Sequence, residues 1–162
     1  MKILVVCLGN ICRSPLAEAI LQSKAEAAGL EWTVDSAGTN GFHVGEPPHH
    51  LSQKVAKQHG LDLSCQLARK FEAKDLDRFD LILAMANDVI LDMKRIAGQK
   101  IQSPRVKLFL ADLWPGKNAD VPDPWYGDED GYHEVYELID KASDAIVNNY
   151  IAQIKQHSNK NG

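Results

Sequence analysis

The chain opens with a short apolar run, residues 3–8, which passes directly into a loop that contains Gly9 and then into Ser14-Pro15. A continuously apolar run is typical of a strand that is buried on both faces of a sheet. Proline is favoured in the first turn of a helix, because its missing N–H would have no partner there. We therefore predict a strand at residues 2–8, followed by a helix that begins near Ser14 and ends by Gly29.

Further apolar runs alternate with helical patterns along the rest of the chain. Strands are predicted at residues 32–36, 81–85 and 105–110, and helices at residues 51–59, 88–97 and 135–154. This alternation predicts an α/β fold, a single-domain three-layer sandwich in which a parallel sheet carries helices on both faces. We assign the domain to residues 1–156 of the 162 in the chain. The polar tail at residues 157–162 is expected to fray.

Charge, hydropathy and cysteine content exclude several classes of protein. The formal net charge of −4 predicts no basic face for nucleic acid, and the apolar runs are too short to cross a membrane. The start of the chain does not have the pattern of a signal peptide, so we expect a cytoplasmic protein. The three cysteines, Cys7, Cys12 and Cys65, are an odd number, so a disulfide framework is not expected. No histidine has zinc-type spacing to a cysteine, so no metal site is expected.

Residues 7–14, named the 7–14 loop here, connect the first predicted strand to the first predicted helix. Backbone N–H groups and the positive helix end converge in such a loop, which makes it a natural anion site. Gly9 lets the backbone approach an anion closely, Asn10 tolerates a left-handed conformation, and Arg13 offers a planar fork for two phosphate oxygens. The same field would stabilise a nucleophilic thiolate at Cys7.

Taken singly, Cys7 is typical of a buried strand end and Arg13 of a surface cation. A cysteine followed by five residues, an arginine and a serine, between a strand and a helix, favours a phosphate site with a nucleophile instead. The rival phosphate cradle is the nucleotide-binding loop that ends in Gly-Lys-Ser/Thr, and the chain does not contain it.

Two further segments accompany the 7–14 loop: Ser36-Ala37-Gly38-Thr39 and Asp123-Pro124-Trp125-Tyr126-Gly127. With these segments the chain resembles the low-molecular-weight protein tyrosine phosphatases over essentially its whole length. The resemblance implies a four-stranded parallel sheet flanked by helices, with no metal or organic cofactor. It also implies hydrolysis of phosphotyrosine through a cysteinyl-phosphate intermediate. Its implied partners are phosphotyrosine proteins, with a bacterial tyrosine kinase as one candidate, and the expected state is a monomer or a weak dimer.

The resemblance assigns the chemistry to three residues: Cys7 as nucleophile, Arg13 as the group that binds the phosphate and the transition state, and Asp123 as general acid and then base. Ser14 is expected to hydrogen-bond the Cys7 sulfur. Ser36 and Asn10 are expected to hold the 7–14 loop rigid through side-chain hydrogen bonds. The residues expected to bind substrate are Leu8, Gly9, Asn10, Ile11, Cys12, Ser14, Phe42, Trp125 and Tyr126.

Alternatives stay open for the thiols and for the substrate. Two roles stay open for Cys12. The resemblance suggests a redox role, in which Cys12 forms a reversible disulfide with Cys7; otherwise Cys12 simply packs beneath the loop. An arsenate reductase would need a relay pair of thiols, and Cys65 alone remains beyond the loop. A phosphotyrosine-binding module without activity is a third possibility. Related phosphoarginine phosphatases have threonine where this chain has Ile11, so we favour phosphotyrosine as the substrate.

The chain departs from the family pattern at two places. Family members often carry a histidine that joins the hydrogen bonds behind the loop, and here the matching stretch contains Cys65 and Gln66. Either Gln66 replaces those hydrogen bonds, or Cys65 leaves this group of hydrogen bonds weaker. Family members also commonly have an acidic residue after the methionine near the third strand, whereas this chain reads Met85-Ala86-Asn87. Support for the loop at this position is therefore expected to differ.

Overall fold

The computed structural model describes residues 1–161. Within them, the strands are β1 (Lys2–Cys7), β2 (Thr33–Gly38), β3 (Leu81–Ala84) and β4 (Val106–Leu108). The helices are α1 (Arg13–Ala27), α2 (His50–Gln58), α3 (Asp75–Arg78), α4 (Asn87–Ala97) and α5 (Glu129–Asn161). Short 3₁₀ turns span Gly98–Gln102 and Pro124–Tyr126. Across this described part of the chain, no helix combines the length and the apolar character that a membrane crossing requires.

The four strands form one parallel sheet in the order β2-β1-β3-β4. The chain moves outward from β1 to β2 and then returns across β1 to β3. The carboxyl end of β1 therefore lies at the point where the winding direction reverses, and ligands of open parallel sheets bind in the crevice at that point. The predicted α/β fold with a four-stranded parallel sheet is confirmed.

The side chains of β1 alternate between two buried layers. Ile3, Val5 and Cys7 belong to the larger apolar cluster, which α1 and α5 cover, and Leu4 and Val6 belong to a second cluster on the α4 side of the sheet. Because successive side chains of a strand point to opposite faces, this alternation explains why the run is apolar at every position. The predicted three layers follow from it.

The last helix, α5, is longer than the sequence predicted. It begins at Glu129, where acidic residues suit the positive end of a helix, and it continues to Asn161. Residues 157–161, which the sequence assigned to a polar tail, are helical and exposed. No glycine or proline interrupts this stretch, and the Asn161 side chain lies 3.1 Å from His157 Nε2 one turn earlier. Residue 162 lies outside the described residues.

Candidate active site

Cys7 is the last residue of β1, and only 2% of it is exposed. Its sulfur accepts a hydrogen bond from the backbone N–H of Asn10 at 3.2 Å and lies 3.0 Å from the Ser14 hydroxyl. Asn10 has φ 59°, the left-handed conformation that asparagine tolerates, and this turn brings its N–H back to the sulfur. Two polar groups thus converge on Cys7 Sγ from within the 7–14 loop.

The backbone N–H of Arg69 fixes which atoms donate and which accept in the hydrogen bonds that support the 7–14 loop. The backbone N–H of Arg69 donates to Asn10 Oδ1 at 3.0 Å, so the Asn10 amide nitrogen must face the two serines. That nitrogen donates to Ser14 Oγ at 2.8 Å and to Ser36 Oγ at 2.9 Å. Each hydroxyl therefore keeps its own hydrogen for the next partner. Ser14 donates to the Cys7 sulfur, which is the polarity that a thiolate needs.

Ser36 donates its hydrogen bond to Glu18, a residue of α1 that was not predicted from the sequence. Ser36 Oγ donates to Glu18 Oε1 at 3.0 Å. Burial, reinforced by the neighbouring Asp35 carboxylate, raises the pKa of Glu18 to about 7, although the Ser36 hydrogen bond and the Arg69 cation oppose the shift. A hydrogen-bonded chain thus runs from a partly buried carboxyl group to the candidate nucleophile.

Arg13 begins α1 and is 4% exposed. Its Nη1 donates to the carbonyl of Val121 at 3.0 Å, and its Nη2 lies 3.6 Å from Asp123 Oδ2. Asp123 Oδ1 accepts the N–H of Trp125 at 3.0 Å and so caps the turn Pro124–Tyr126. The side chain of Asp123 is 27% exposed, so this carboxylate lies beside the buried guanidinium and still faces solvent.

Gly38, at the end of β2, supports the loop through very close backbone contact. A Cβ atom at this position would lie 2.9 Å from backbone atoms of Leu8, Gly9 and Asn10. Beyond it, the N–H of Thr39 donates to the Cys7 carbonyl at 3.0 Å. Only glycine permits this approach. Gly38 belongs to the segment Ser36-Ala37-Gly38-Thr39, but no role was predicted for it from the sequence.

The 7–14 loop and the turn that begins at Asp123 enclose a cavity of about 240 Å³. Its lining residues are Cys7, Leu8, Gly9, Ile11, Cys12, Arg13, Asn40, Phe42, His43, Asp123, Trp125 and Tyr126. Among the residues selected from the sequence, Asn10, Ser14 and Ser36 do not line the cavity, and their side chains hydrogen-bond to one another instead. Phe42 and Tyr126 are 85% and 87% exposed, and they form the rim.

Asn40 and His43 also line the cavity, and neither was predicted from the sequence. His43 Nδ1 lies 2.6 Å from Glu46 Oε2, and its ring lies 5.7 Å from that of Trp125. Both missed residues follow β2 directly, and adjacent parallel strands deliver their following loops to the same sheet edge. That topology is the signal that could have found them.

Cys12 is buried, and its sulfur lies 3.5 Å from the Tyr132 hydroxyl. Burial raises the pKa of the Cys12 thiol to about 12. Cys65 is exposed. Gln66 donates to the Pro15 carbonyl at 3.1 Å, and among the described residues its Oε1 atom is buried without a partner. Gln66 therefore bonds to the first turn of α1, and Glu18 receives the hydrogen bond of Ser36.

Comparison with known proteins extends over nearly the whole chain. Residues 2–160 match the family model described as low molecular weight phosphotyrosine protein phosphatase. The low molecular weight protein-tyrosine-phosphatase YfkJ of Bacillus subtilis is 40% identical over 149 residues, 91% of this chain and 94% of that protein.

Solved structures agree with the sequence comparison. A protein tyrosine phosphatase from Entamoeba histolytica superposes with a TM-score of 0.83 at 33% identity, covering 98% of this chain and 99% of that chain. The Drosophila arginine phosphatase DARP gives a TM-score of 0.82 at 33% identity, covering 93% and 98%. The resemblance predicted from the three sequence segments is confirmed. The chain belongs to the low molecular weight phosphotyrosine protein phosphatase family.

Proposed function

We propose that this chain hydrolyses phosphotyrosine monoesters in proteins through a cysteinyl-phosphate intermediate on Cys7. One observation carries the proposal: Cys7, Arg13 and Asp123 line the same cavity, although Asp123 lies more than a hundred residues from the other two in the chain. A nucleophile, a cation for the transferring phosphoryl group and a proton donor are the three functions that this reaction requires.

In the first step the Cys7 thiolate attacks phosphorus, and the bond from phosphorus to the tyrosyl oxygen breaks. Asp123 gives its proton to the departing oxygen, so the products are cysteinyl-phosphate and tyrosine. Arg13 and the backbone N–H groups of the 7–14 loop bind the equatorial oxygens as their charge develops. Asp123 is partly exposed at the cavity, which is consistent with a carboxyl group that exchanges protons with substrate and water.

In the second step a water molecule attacks phosphorus and transfers its proton to Asp123, and the bond from phosphorus to sulfur breaks. The products are phosphate and the Cys7 thiolate. The hydrogen bond that Ser14 donates to the sulfur stabilises this leaving group. Because Asn10 occupies the other side of the Ser14 hydroxyl, the hydrogen remains directed at the sulfur in both steps.

The shape of the cavity supports phosphotyrosine as the substrate. Cys7 lies at its base and is nearly inaccessible, so the phosphate must be carried on a long side chain. Trp125 supplies an aromatic wall for a flat ring, and Phe42 and Tyr126 add aromatic side chains at the rim. Phosphoarginine is the second candidate, because an arginine phosphatase is among the structural neighbours. Ile11, which is nearly buried, offers no hydroxyl to a guanidinium group, and this favours phosphotyrosine.

The experiment is hydrolysis of p-nitrophenyl phosphate across pH without added metal. Cys7→Ser should abolish turnover. Asp123→Ala should lower kcat by about a hundredfold, with a changed pH profile, because the second step needs a base to take the proton of water even when the leaving phenolate needs none. Cys65→Ser and Asp128→Ala are the matched controls, since both residues are exposed and neither lines the cavity. An inactive natural chain, or full activity in Cys7→Ser, would show that the cysteine mechanism is wrong. Tests of arsenate reduction and of phosphotyrosine binding would then follow.

The location and partners of the protein belong to the same proposal. We expect it in the cytoplasm, acting on phosphotyrosine proteins, with a bacterial tyrosine kinase as one candidate. Free thiols at the active site suit a reducing compartment. A monomer or weak dimer is expected, and sedimentation of the purified chain across a range of concentrations would test it. Capture of phosphotyrosine proteins by Asp123→Ala would test the partners.

A further inference from the structure

Asn87 and Asp120 join the first turn of α4 to the segment that leads to Asp123. The backbone N–H and the side-chain Nδ2 of Asn87 both donate to Asp120 Oδ1, each at 2.7 Å. Asn87 Nδ2 also donates to the carbonyl of Asn118 at 3.0 Å. Asn118 has φ 53°, the left-handed conformation, which turns the chain towards α4. A single side chain thus holds this segment at two points.

This contact completes the N-terminus of α4. The residue at the N-cap is Ala86, which makes no side-chain cap hydrogen bond. The first N–H groups of a helix have no partner within the helix, and a cap residue normally accepts one of them. Here Asp120, which lies 33 residues further along the chain, accepts the N–H of Asn87 instead. Its negative charge also suits the positive end of the helix dipole.

The same segment is tied to the catalytic groups. Val121 is fully buried, its N–H donates to the Met85 carbonyl at 2.8 Å, and its carbonyl accepts Arg13 Nη1 at 3.0 Å. Asp123 follows two residues later, and its carboxylate lies 3.6 Å from Arg13 Nη2. The place of this carboxylate therefore depends on where residues 118–121 sit against β3 and α4.

We propose that Asn87 and Asp120 are positioning residues for proton transfer by Asp123. They hold residues 118–121 so that the Asp123 carboxyl group meets the leaving oxygen of the substrate. The inference rests on the proposed function, because the acid role of Asp123 belongs to it. A simple helix cap would affect stability alone, whereas a positioning pair also changes how strongly the rate depends on the leaving group.

The test compares kcat/KM for p-nitrophenyl phosphate, whose phenolate leaves readily, with kcat/KM for phenyl phosphate, whose leaving oxygen needs a proton as that of tyrosine does. kcat/KM reports the step in which the ester bond breaks. In Asn87→Ala and in Asp120→Ala we expect kcat/KM for phenyl phosphate to fall by about tenfold, which is a part of what a well-placed general acid supplies. For p-nitrophenyl phosphate we expect kcat/KM to fall by less than about twofold. Asp120→Asn keeps a side-chain acceptor and should restore the natural ratio.

Two controls separate positioning from folding. Asp88→Ala removes an exposed carboxylate from the same helical turn and should leave the ratio unchanged. In an Asp123→Ala background, Asn87→Ala should change the ratio no further, because the group that it positions is absent. Thermal melting of each variant would confirm that it is folded at the assay temperature.

Each outcome decides between the two proposals. Equal losses for both esters in Asn87→Ala, or a natural ratio in both alanine variants, would overturn the positioning role while the cysteine mechanism stood. A further change in ratio when Asn87→Ala is added to Asp123→Ala would also overturn it. If the natural chain hydrolysed neither ester, or if Cys7→Ser kept the natural rates, the proposed function would fail and the positioning role would fall with it.

Discussion

Replacement of Glu18 by glutamine should change how the stability of the protein depends on pH. Burial raises the pKa of Glu18 from its ordinary value of 4.5 to about 7, so the folded state favours the protonated carboxyl group. The stabilisation that this provides is fully present below about pH 4.5 and is lost as the pH rises through about 7. Glutamine keeps an oxygen that can accept the Ser36 hydrogen, and it has no proton to lose.

The size of the effect follows from the shift. A rise from 4.5 to about 7 corresponds to about 3 kcal/mol, because one pKa unit is worth about 1.4 kcal/mol. The carboxyl group is only partly buried, so solvent screening reduces the expected contribution to about 2 kcal/mol. Between about pH 5 and about pH 8, the natural chain should therefore lose about 2 kcal/mol of unfolding free energy relative to Glu18→Gln.

Urea unfolding at these two pH values, at constant ionic strength, would measure the difference. Other titrating groups contribute equally to both proteins and cancel in the comparison. Glu134→Gln, which replaces an exposed carboxylate, is the matched control and should follow the natural chain. If the natural chain and Glu18→Gln lost the same free energy between the two pH values, the assignment of a raised pKa to Glu18 would be refuted.

Three further predictions concern the loop itself. Gly38→Ala should lower kcat by at least about tenfold and weaken inhibition by phosphate, because the new Cβ atom would meet loop backbone at 2.9 Å; natural kinetics would contradict this. Ile11→Thr should raise phosphoarginine turnover relative to phosphotyrosine turnover, and an unchanged ratio would remove the basis for preferring phosphotyrosine. Mild peroxide should oxidise the Cys7 and Cys12 thiols to a disulfide, with the peroxide reduced to two molecules of water, and dithiothreitol should reduce the disulfide again. Mass spectrometry would detect the linked peptide, and its absence in an inactivated sample would reject the disulfide.

Much of the fold was predictable because it depends on neighbours along the chain. The continuous apolar run at residues 3–8 indicated a strand buried on both faces, and Pro15 marked the start of α1. Helix ends were less predictable. The start of α5 at Glu129 depends on the charge of its first turn and on packing. The apolar repeat recognised in the sequence begins at Val135, although Tyr132 is buried one turn earlier.

Some residues of the candidate site could be predicted from the sequence and others could not. Cysteine, arginine and aspartate in distinctive motifs could be selected from the sequence. Glu18 could not, because carboxylates are common on helices and this residue has no motif of its own. Asn87 was noted as part of a departure from the family pattern, but its partner could not be predicted. Their contacts join them to Ser36 and Asp120, which only the packing of distant segments brings near.

The sequence by itself determined the strand, the 7–14 loop and the helix that follows, since hydrophobic periodicity, proline placement and loop chemistry act over a few residues. Only the tertiary structure decided what surrounds that loop. The strand order β2-β1-β3-β4 brings Gly38 against its backbone and the carbonyl of Val121 onto Arg13. Contacts across such distances in the chain form only when the two apolar layers of the sheet are buried, because that burial offsets the entropy of ordering the segments between them.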